Sequence, residues 1–425
     1  MIHCQILSTG SPVLLESVPG SDVVSVGLWF PTGSRDEDPG QEGFSHFVEH
    51  MLFKGTDRLS AFDIACDIDR VGGSINAFTE REVTSVYTSV PKEYFQHVFE
   101  IMHDICFFSV FPEEEILREQ SVVLNEISAS EDSPEETAFD EFLALYWQNN
   151  AIAKPIMGSR QSVKKIKRAA ILEFYKKHYN IGNCIISIAG DFKIEFIVSY
   201  IEKIIKQTGQ RSVLYSAAEQ RIIPEESRFT RYMEGTFSQT HVYIGSQFEK
   251  PAALKDYYSL LLFSSAFGES MSSRLFQEVR EKQGLCYSIS SFRNYYSDIG
   301  FWMIYANTMS ENSEKLLRSI EHEIKNLALH PVSQKELDDA IMQVKGTMIL
   351  SKQDMEARMK RMARQYIAMG KVLSYEDCFS IIEDISLRDI ELVADAIFKT
   401  GPLSILGYGG KGLKKLSKCS FSMEP

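Results

Sequence analysis

A chain of 425 residues is too long for one ordinary hydrophobic core, and at roughly 100–200 residues per domain it predicts two to four domains. Its 44% apolar and 24% charged residues exclude a disordered or collagen-like chain, and no apolar run approaches the ~20 residues of a membrane span. The 58 acidic residues outnumber the 45 basic ones, for a net charge of −13 with no compensating basic block, so no nucleic-acid-binding face is expected.

The first residues, Met1-Ile-His-Cys-Gln-Ile-Leu, lack a basic segment followed by a long apolar stretch. They read as a strand with no signal peptide, which makes a cytoplasmic chain the expectation. The first half opens β-rich over about 2–32. Helices are predicted near 43–54, 60–71, 91–108, 112–131, 135–148 and 162–178, and strands near 75–79, 82–90 and 183–190. A polar stretch then reads as a linker, giving domains at 1–210 and 229–425 joined by 211–228. The second half opens β-rich over 229–248. Helices follow near 254–266, 272–283, 311–328, 333–369, 375–385 and 388–399, with strands near 286–293, 299–307 and 402–409. Strands clustered with helices between them predict α+β layers, not alternating βαβ units. Seven scattered cysteines without a C-x-x-C pair fit reduced thiols and not a disulfide framework.

The halves resemble each other. Residues 24–30, V-S-V-G-L-W-F, share a pattern with 242–248, V-Y-I-G-S-Q-F, and 186–190, I-S-I-A-G, resemble 403–407, L-S-I-L-G. Both matches lie at nearly the same offset, about 217 residues, far beyond a solenoid period. A duplicated domain is the expectation.

Gln41–Thr56 carries the chemistry: Q-E-G-F-S-H-F-V-E-H-M-L-F-K-G-T. His46 and His50, four apart on a helix, project from one face where both imidazoles can hold one zinc ion. Glu49 lies on the same side, placed to reach a water, so the stretch is an inverted form of the H-E-x-x-H motif. A third ligand is needed, and the helix around Glu113–Ser130 offers Glu119 and Glu126, two turns apart on one face. Spacing alone does not choose between them.

The stretch His46–Thr56 resembles the signature of the pitrilysin (insulinase) family of zinc peptidases, and most closely its short, processing-peptidase-like bacterial branch. The resemblance covers the whole chain. It implies two homologous domains, each an antiparallel-type sheet with helices packed on it, forming a clamshell. In that family the third ligand follows the second histidine by about 76 residues, which falls on Glu126. A second family glutamate falls on Glu119, which the resemblance groups with the catalytic residues Glu49 and Tyr287, tuning the site or assisting in substrate or metal handling. One Zn2+ per chain is implied, with Glu49 as general base. Gly73–Glu82 is similar to the family's substrate-binding edge strand, which assigns Asn76, Ala77 and Phe78 to substrate. Arg280 and Tyr287 match an Arg/Tyr pair in which arginine binds substrate carbonyls and tyrosine steadies the oxyanion. Two departures stand out: Gly268-Glu269-Ser270 replaces consecutive glycines, and Cys286 replaces a small residue. At the offset of 218 that relates Gly27 to Gly245, Ser264, Phe267 and Gly268 stand for His46, Glu49 and His50, so only the first half is expected to be catalytic. The resulting expectation is a zinc endopeptidase acting on unfolded or presequence-like peptides in a closed chamber, as a homodimer without nucleic-acid or membrane partners. The alternatives are a catalytic subunit that requires a separate partner chain, and a non-catalytic scaffold subunit of the same fold.

Overall fold

The computed structural model describes residues 2–208, 221–235, 237–251, 253–398 and 401–423. The expected linker at 211–228 therefore lies outside the described residues up to position 220. One sheet contains β1 (Ile2–Ile6), β2 (Pro12–Ser17), β3 (Val23–Phe30), β4 (Ser74–Thr79), β5 (Thr84–Pro91) and β6 (Ile185–Gly190), in the order β1-β2-β6-β3-β5-β4. The other contains β7 (Thr230–Glu234), β8 (Gln239–Glu249), β9 (Ser288–Tyr295), β10 (Ile299–Met309) and β11 (Ser404–Gly409), in the order β7-β11-β8-β10-β9.

Leaving β1 aside, the two orders correspond strand for strand. Each has one parallel pair, β2 with β6 and β7 with β11, and the other pairs are antiparallel. The registers correspond as well: Gly27 faces Ser187 across β3–β6, and Gly245 faces Ser404 across β8–β11. These are the segments whose likeness is visible in the sequence, and the chain is an α+β duplication.

The helices are α1 (Phe44–Leu52), α2 (Ala61–Arg70), α3 (Phe95–Phe107), α4 (Glu113–Asp132), α5 (Pro134–Trp147), α6 (Arg160–Val163), α7 (Arg168–His178) and α8 (Ile194–Thr208). They continue with α9 (Leu254–Ser264), α10 (Ser313–Leu329), α11 (Gln334–Ser351), α12 (Met355–Met369), α13 (Tyr375–Glu383) and α14 (Leu387–Phe398). The helix expected over 333–369 is two helices. The chain breaks at Asp354, whose carboxylate takes the Glu356 N–H at 2.8 Å and starts α12. Helix α8 was not expected, although Ile197, Ile201, Ile204 and Ile205 form a buried helical stripe. Among the described residues, no helix is long and apolar enough to cross a membrane.

The chain divides into two compact units that are discontinuous in sequence. The first comprises Met1–Ser128, Lys154–Ile222 and Leu350–Ser374; the second comprises Ala129–Ala153, Ile223–Ile349 and Tyr375–Pro425. Each unit thus includes a helix from the other half of the sequence. In the first unit, both faces of β3 are buried, which is why it reads as a near-continuous apolar run. Val24, Val26, Leu28 and Phe30 join the main core with α1, α3, α7 and α8. Trp29 joins Met359, Met362 and Ala363 of α12 on the opposite face. Gly27 makes room for that helix, because a Cβ there would sit 2.5 Å from Met359 Sδ. The Ser187 hydroxyl donates to the Met359 carbonyl at 2.8 Å, and Arg358 pairs with the buried Glu16 at 2.6 Å. In the second unit, α5 has the corresponding place: Phe142, Tyr146 and Trp147 pack on Tyr243, Phe301 and Leu406.

Candidate metal centre

Helix α1 is amphipathic in the usual way. Phe44, Phe47, Val48 and Met51 form the buried stripe, which leaves His46, Glu49 and His50 on the other side. Its start is held rigidly. Gly43 caps it with φ +93°, and a Cβ there would lie 2.5 Å from the Met157 carbonyl oxygen. The buried Glu37 carboxylate accepts the Gly43 N–H at 2.8 Å and the Ser45 N–H at 2.7 Å. It thereby satisfies two of the donors that a helix start leaves unpaired. Burial pushes the Glu37 carboxyl up to about 8, against the pull of those two N–H groups. Gly43→Ala is expected to cost about 2–4 kcal/mol, combining left-handed backbone strain with a backbone clash. Thermal unfolding checks this; an unchanged melting temperature would mean that α1 can start elsewhere.

Helix α4 faces α1 with its two glutamates. Glu126 Oε2 lies 3.7 Å from His46 Nε2 and 3.5 Å from His50 Nε2. Glu119 is placed one step further along. Its Oε2 is 2.9 Å from His50 Nδ1, and its Oε1 is 2.6 Å from Lys54 Nζ. The structure thus brings all four motif residues together and separates the two glutamates, which spacing alone did not do. Glu126 meets the Nε2 atoms of both histidines, whereas Glu119 meets the far nitrogen of one.

The donor set fits zinc. His46, His50 and Glu126 each offer one ligand atom, all within 4.8 Å of one another. Tetrahedral donors at zinc distances stand about 3.3 Å apart, close to the 3.5 and 3.7 Å that separate Glu126 from the two imidazoles. Two imidazoles and one carboxylate are a borderline N/O set with a fourth position left open. His46 is held neutral, its pKa pushed down to about 4 by burial and then by His50, so a ring nitrogen keeps its lone pair. The His46 Nδ1 atom is buried without a hydrogen-bond partner. Among the described residues, no other group of three His, Cys, Asp or Glu converges in this way. At the offset relating β6 to β11, Glu126 falls on Gln343, which lies 2.9 Å from the Ser265 hydroxyl.

Glu49 has its own support. Its Oε2 accepts the Thr79 hydroxyl at 2.6 Å. Burial raises the Glu49 carboxyl above the usual range, while Thr79 and His50 pull it down. Thr79 ends β4, the edge strand of its sheet, so carboxylate and open strand edge are joined by one hydrogen bond. On β4, Asn76 Oδ1 accepts the Ala77 N–H at 2.9 Å, and Phe78 packs edge-on to Trp29 at 5.5 Å. In the second unit, Arg280 lies in a π-helical segment, Phe276–Lys282, a form common at functional sites. Its guanidinium lies over the Phe276 ring at 4.5 Å and the Tyr287 ring at 5.6 Å, and Tyr287 is 79% exposed. Sequence reading missed Thr79, Lys54 and Glu37. Of these only Lys54 carried a signal, since it continues the spacing of His46 and His50.

Residues 12–160 match the family model for insulinase, peptidase family M16, and residues 165–344 match the model for the peptidase M16 inactive domain. An uncharacterized zinc protease of Rickettsia bellii is 34% identical over 411 residues, covering 95% of this chain and 98% of that one. The chain belongs to peptidase family M16. An uncharacterized zinc protease of Bacillus subtilis is 30% identical over 398 residues, covering 94% of this chain and 96% of that one. The M16 fold recurs in the peptidase M16 inactive domain structure from Pseudomonas fluorescens (TM-score 0.87, 20% identity, 97% and 98% covered). A protease from Helicobacter pylori also shares it (TM-score 0.85, 20% identity, 96% and 99% covered). M16 membership supports a peptidase, with peptides as the substrate class.

Proposed function

We propose that this chain is a zinc-dependent endopeptidase that cleaves unfolded peptides, with its metal held by His46, His50 and Glu126. The convergence of those three donors beside the half-buried Glu49 carboxylate and the edge strand β4 carries this reading. When bound, zinc supplies Lewis acidity, polarising a carbonyl and acidifying water. Glu49 takes a proton from the attacking water and passes it to the leaving amine. The Thr79 hydroxyl holds one Glu49 oxygen in place and leaves the other for the proton. An extended peptide adds alongside β4 through backbone hydrogen bonds, its carbonyl replacing Asn76 Oδ1 on the Ala77 N–H. Only an unfolded chain can pair in this way, hence the substrate class proposed.

Arg280 and Tyr287 are assigned to substrate carbonyls and oxyanion on their match to the family alone. The working unit is a homodimer of this chain, needing no second kind of subunit. The test is metal analysis of the purified chain together with its action on a mixed peptide library and on stably folded proteins. About one zinc per chain is expected, with peptide hydrolysis abolished by a chelator and restored by zinc, and folded proteins left intact. Arg280→Ala and Tyr287→Phe should lower that hydrolysis without changing zinc content. A zinc-free chain, or a zinc-loaded chain without hydrolysis, would overturn the reading.

A further inference from the structure

The contacts between α1 and α4 extend beyond the metal donors. His46, His50 and Lys54 follow one another at intervals of four residues, the first interval being one turn of α1. Glu119 and Glu126, two turns apart, face them in antiparallel sense. The result is a ladder: His46 to Glu126 at 3.7 Å, Glu126 to His50 at 3.5 Å, His50 to Glu119 at 2.9 Å, and Glu119 to Lys54 at 2.6 Å. Lys54 stands just past the end of α1, where its N–H bonds the Met51 carbonyl at 3.1 Å.

We infer that Lys54 is a positioning residue for the metal site, acting through Glu119 on His50. This rests on the proposal that His46, His50 and Glu126 hold zinc. The Glu119 side chain is 5% exposed, so little water is available to fix its orientation. Its two oxygens are divided between one cation and one imidazole. With Oε1 held by the Lys54 ammonium, Oε2 stays directed at His50 Nδ1, which therefore carries the ring proton and leaves the Nε2 lone pair facing His46 Nε2 and Glu126. A carboxylate that fixes a ligating histidine in this way is a recurring support of metal sites. Here that support has an anchor of its own. Without Lys54, Glu119 would be a nearly buried carboxylate with one oxygen unpaired, free to turn about its terminal bond. The preference of His50 for one tautomer and one ring orientation would then weaken.

The experiment measures zinc affinity and the rate of zinc release to a chelator, in the full-length chain, for Lys54→Met, Lys54→Arg, Glu119→Gln and the double variant Lys54→Met/Glu119→Gln. Lys54→Met preserves the length of the stem and removes the charge; it should weaken zinc binding about 10-fold, within the range for such outer partners. Lys54→Arg should recover most of the loss. In the double variant the loss should equal that of Glu119→Gln alone, because Lys54 acts only through Glu119. A general packing defect would instead lower the melting temperature of the zinc-free protein and add to the Glu119→Gln effect. If Lys54→Met does not fold, Lys54→Gln replaces it in the same cycle. Zinc affinity within twofold of the parent, or additive losses, would overturn the inference. Failure of the parent chain itself to bind zinc would overturn the metal assignment, so the two failures are distinguishable.

Discussion

Glu49→Gln is expected to bind zinc as the parent does and to lose about 10²–10⁴-fold in peptide hydrolysis, the usual contribution of a general base. The substitution is nearly isosteric, and the amide oxygen can still accept the Thr79 hydroxyl that bonds Glu49 Oε2 at 2.6 Å. Zinc content should hold because the three converging donors are His46, His50 and Glu126, and Glu49 is not among them. Stability gives a second readout, with a defined sign. Burial raises the Glu49 carboxyl above its ordinary value, so the folded state binds the proton more tightly than the unfolded chain. Its contribution is then fully present at low pH and is lost as pH rises from the unfolded value through the folded one. A neutral glutamine escapes that loss, so the zinc-free variant should unfold at neutral pH no earlier than the parent. The combination of full zinc, undiminished stability and lost turnover is specific to a proton-transfer residue. Near-normal hydrolysis would remove Glu49 from the mechanism, and loss of zinc would make it a ligand.

How much of this was legible in the sequence depends on whether a feature is local. His46, Glu49 and His50 declare themselves because helical spacing puts them on one side while Phe44, Phe47, Val48 and Met51 take the other. The duplication is legible because Gly27 and Gly245 occupy equivalent places in equivalent strands, each with its serine partner in register. The helices contributed by the other half of the sequence are not legible. The apolar face of α12 says that Met359 and Met362 are buried, but no local signal says that they pack on Trp29. The same holds for Phe142 and Tyr146 of α5 against Phe301. Thr79 is an ordinary strand-end residue until the fold brings it to Glu49. Lys54 reads as a cation near a helix C-terminus, a common placement that the dipole alone explains. The break before α12 and the stripe of α8 were different: an aspartate cap and a helical run of isoleucines were both present, and β-branched residues obscured the second.

The choice between the two glutamates yields the last expected result. Glu126→Gln should weaken zinc binding far more than Glu119→Gln, whose loss should lie within about 10–100-fold. The reason is which atoms each carboxylate meets. Glu126 Oε2 stands within 3.5–3.7 Å of the Nε2 atoms of both histidines, so an amide there replaces an anionic donor with a weaker neutral one and removes the negative charge that offsets the cation. Glu119 bonds His50 Nδ1 and Lys54 Nζ, so its loss leaves the three donors present but one of them less well directed. Exposure points the same way. The Glu126 side chain is 41% exposed, open to an incoming ion, whereas that of Glu119 is 5% exposed and engaged on both oxygens. Zinc retention after dialysis against a weak chelator, followed by titration of metal back into each variant, separates the two. Excess zinc should restore structure and activity to Glu119→Gln in large part, because its donor set is intact. It should restore little activity to Glu126→Gln even where metal is forced in, because a site of two imidazoles and a neutral amide holds the ion more loosely relative to Glu49. If Glu119→Gln lost its zinc first, the third ligand would be Glu119, and the position of Glu126 between the two Nε2 atoms would need another explanation.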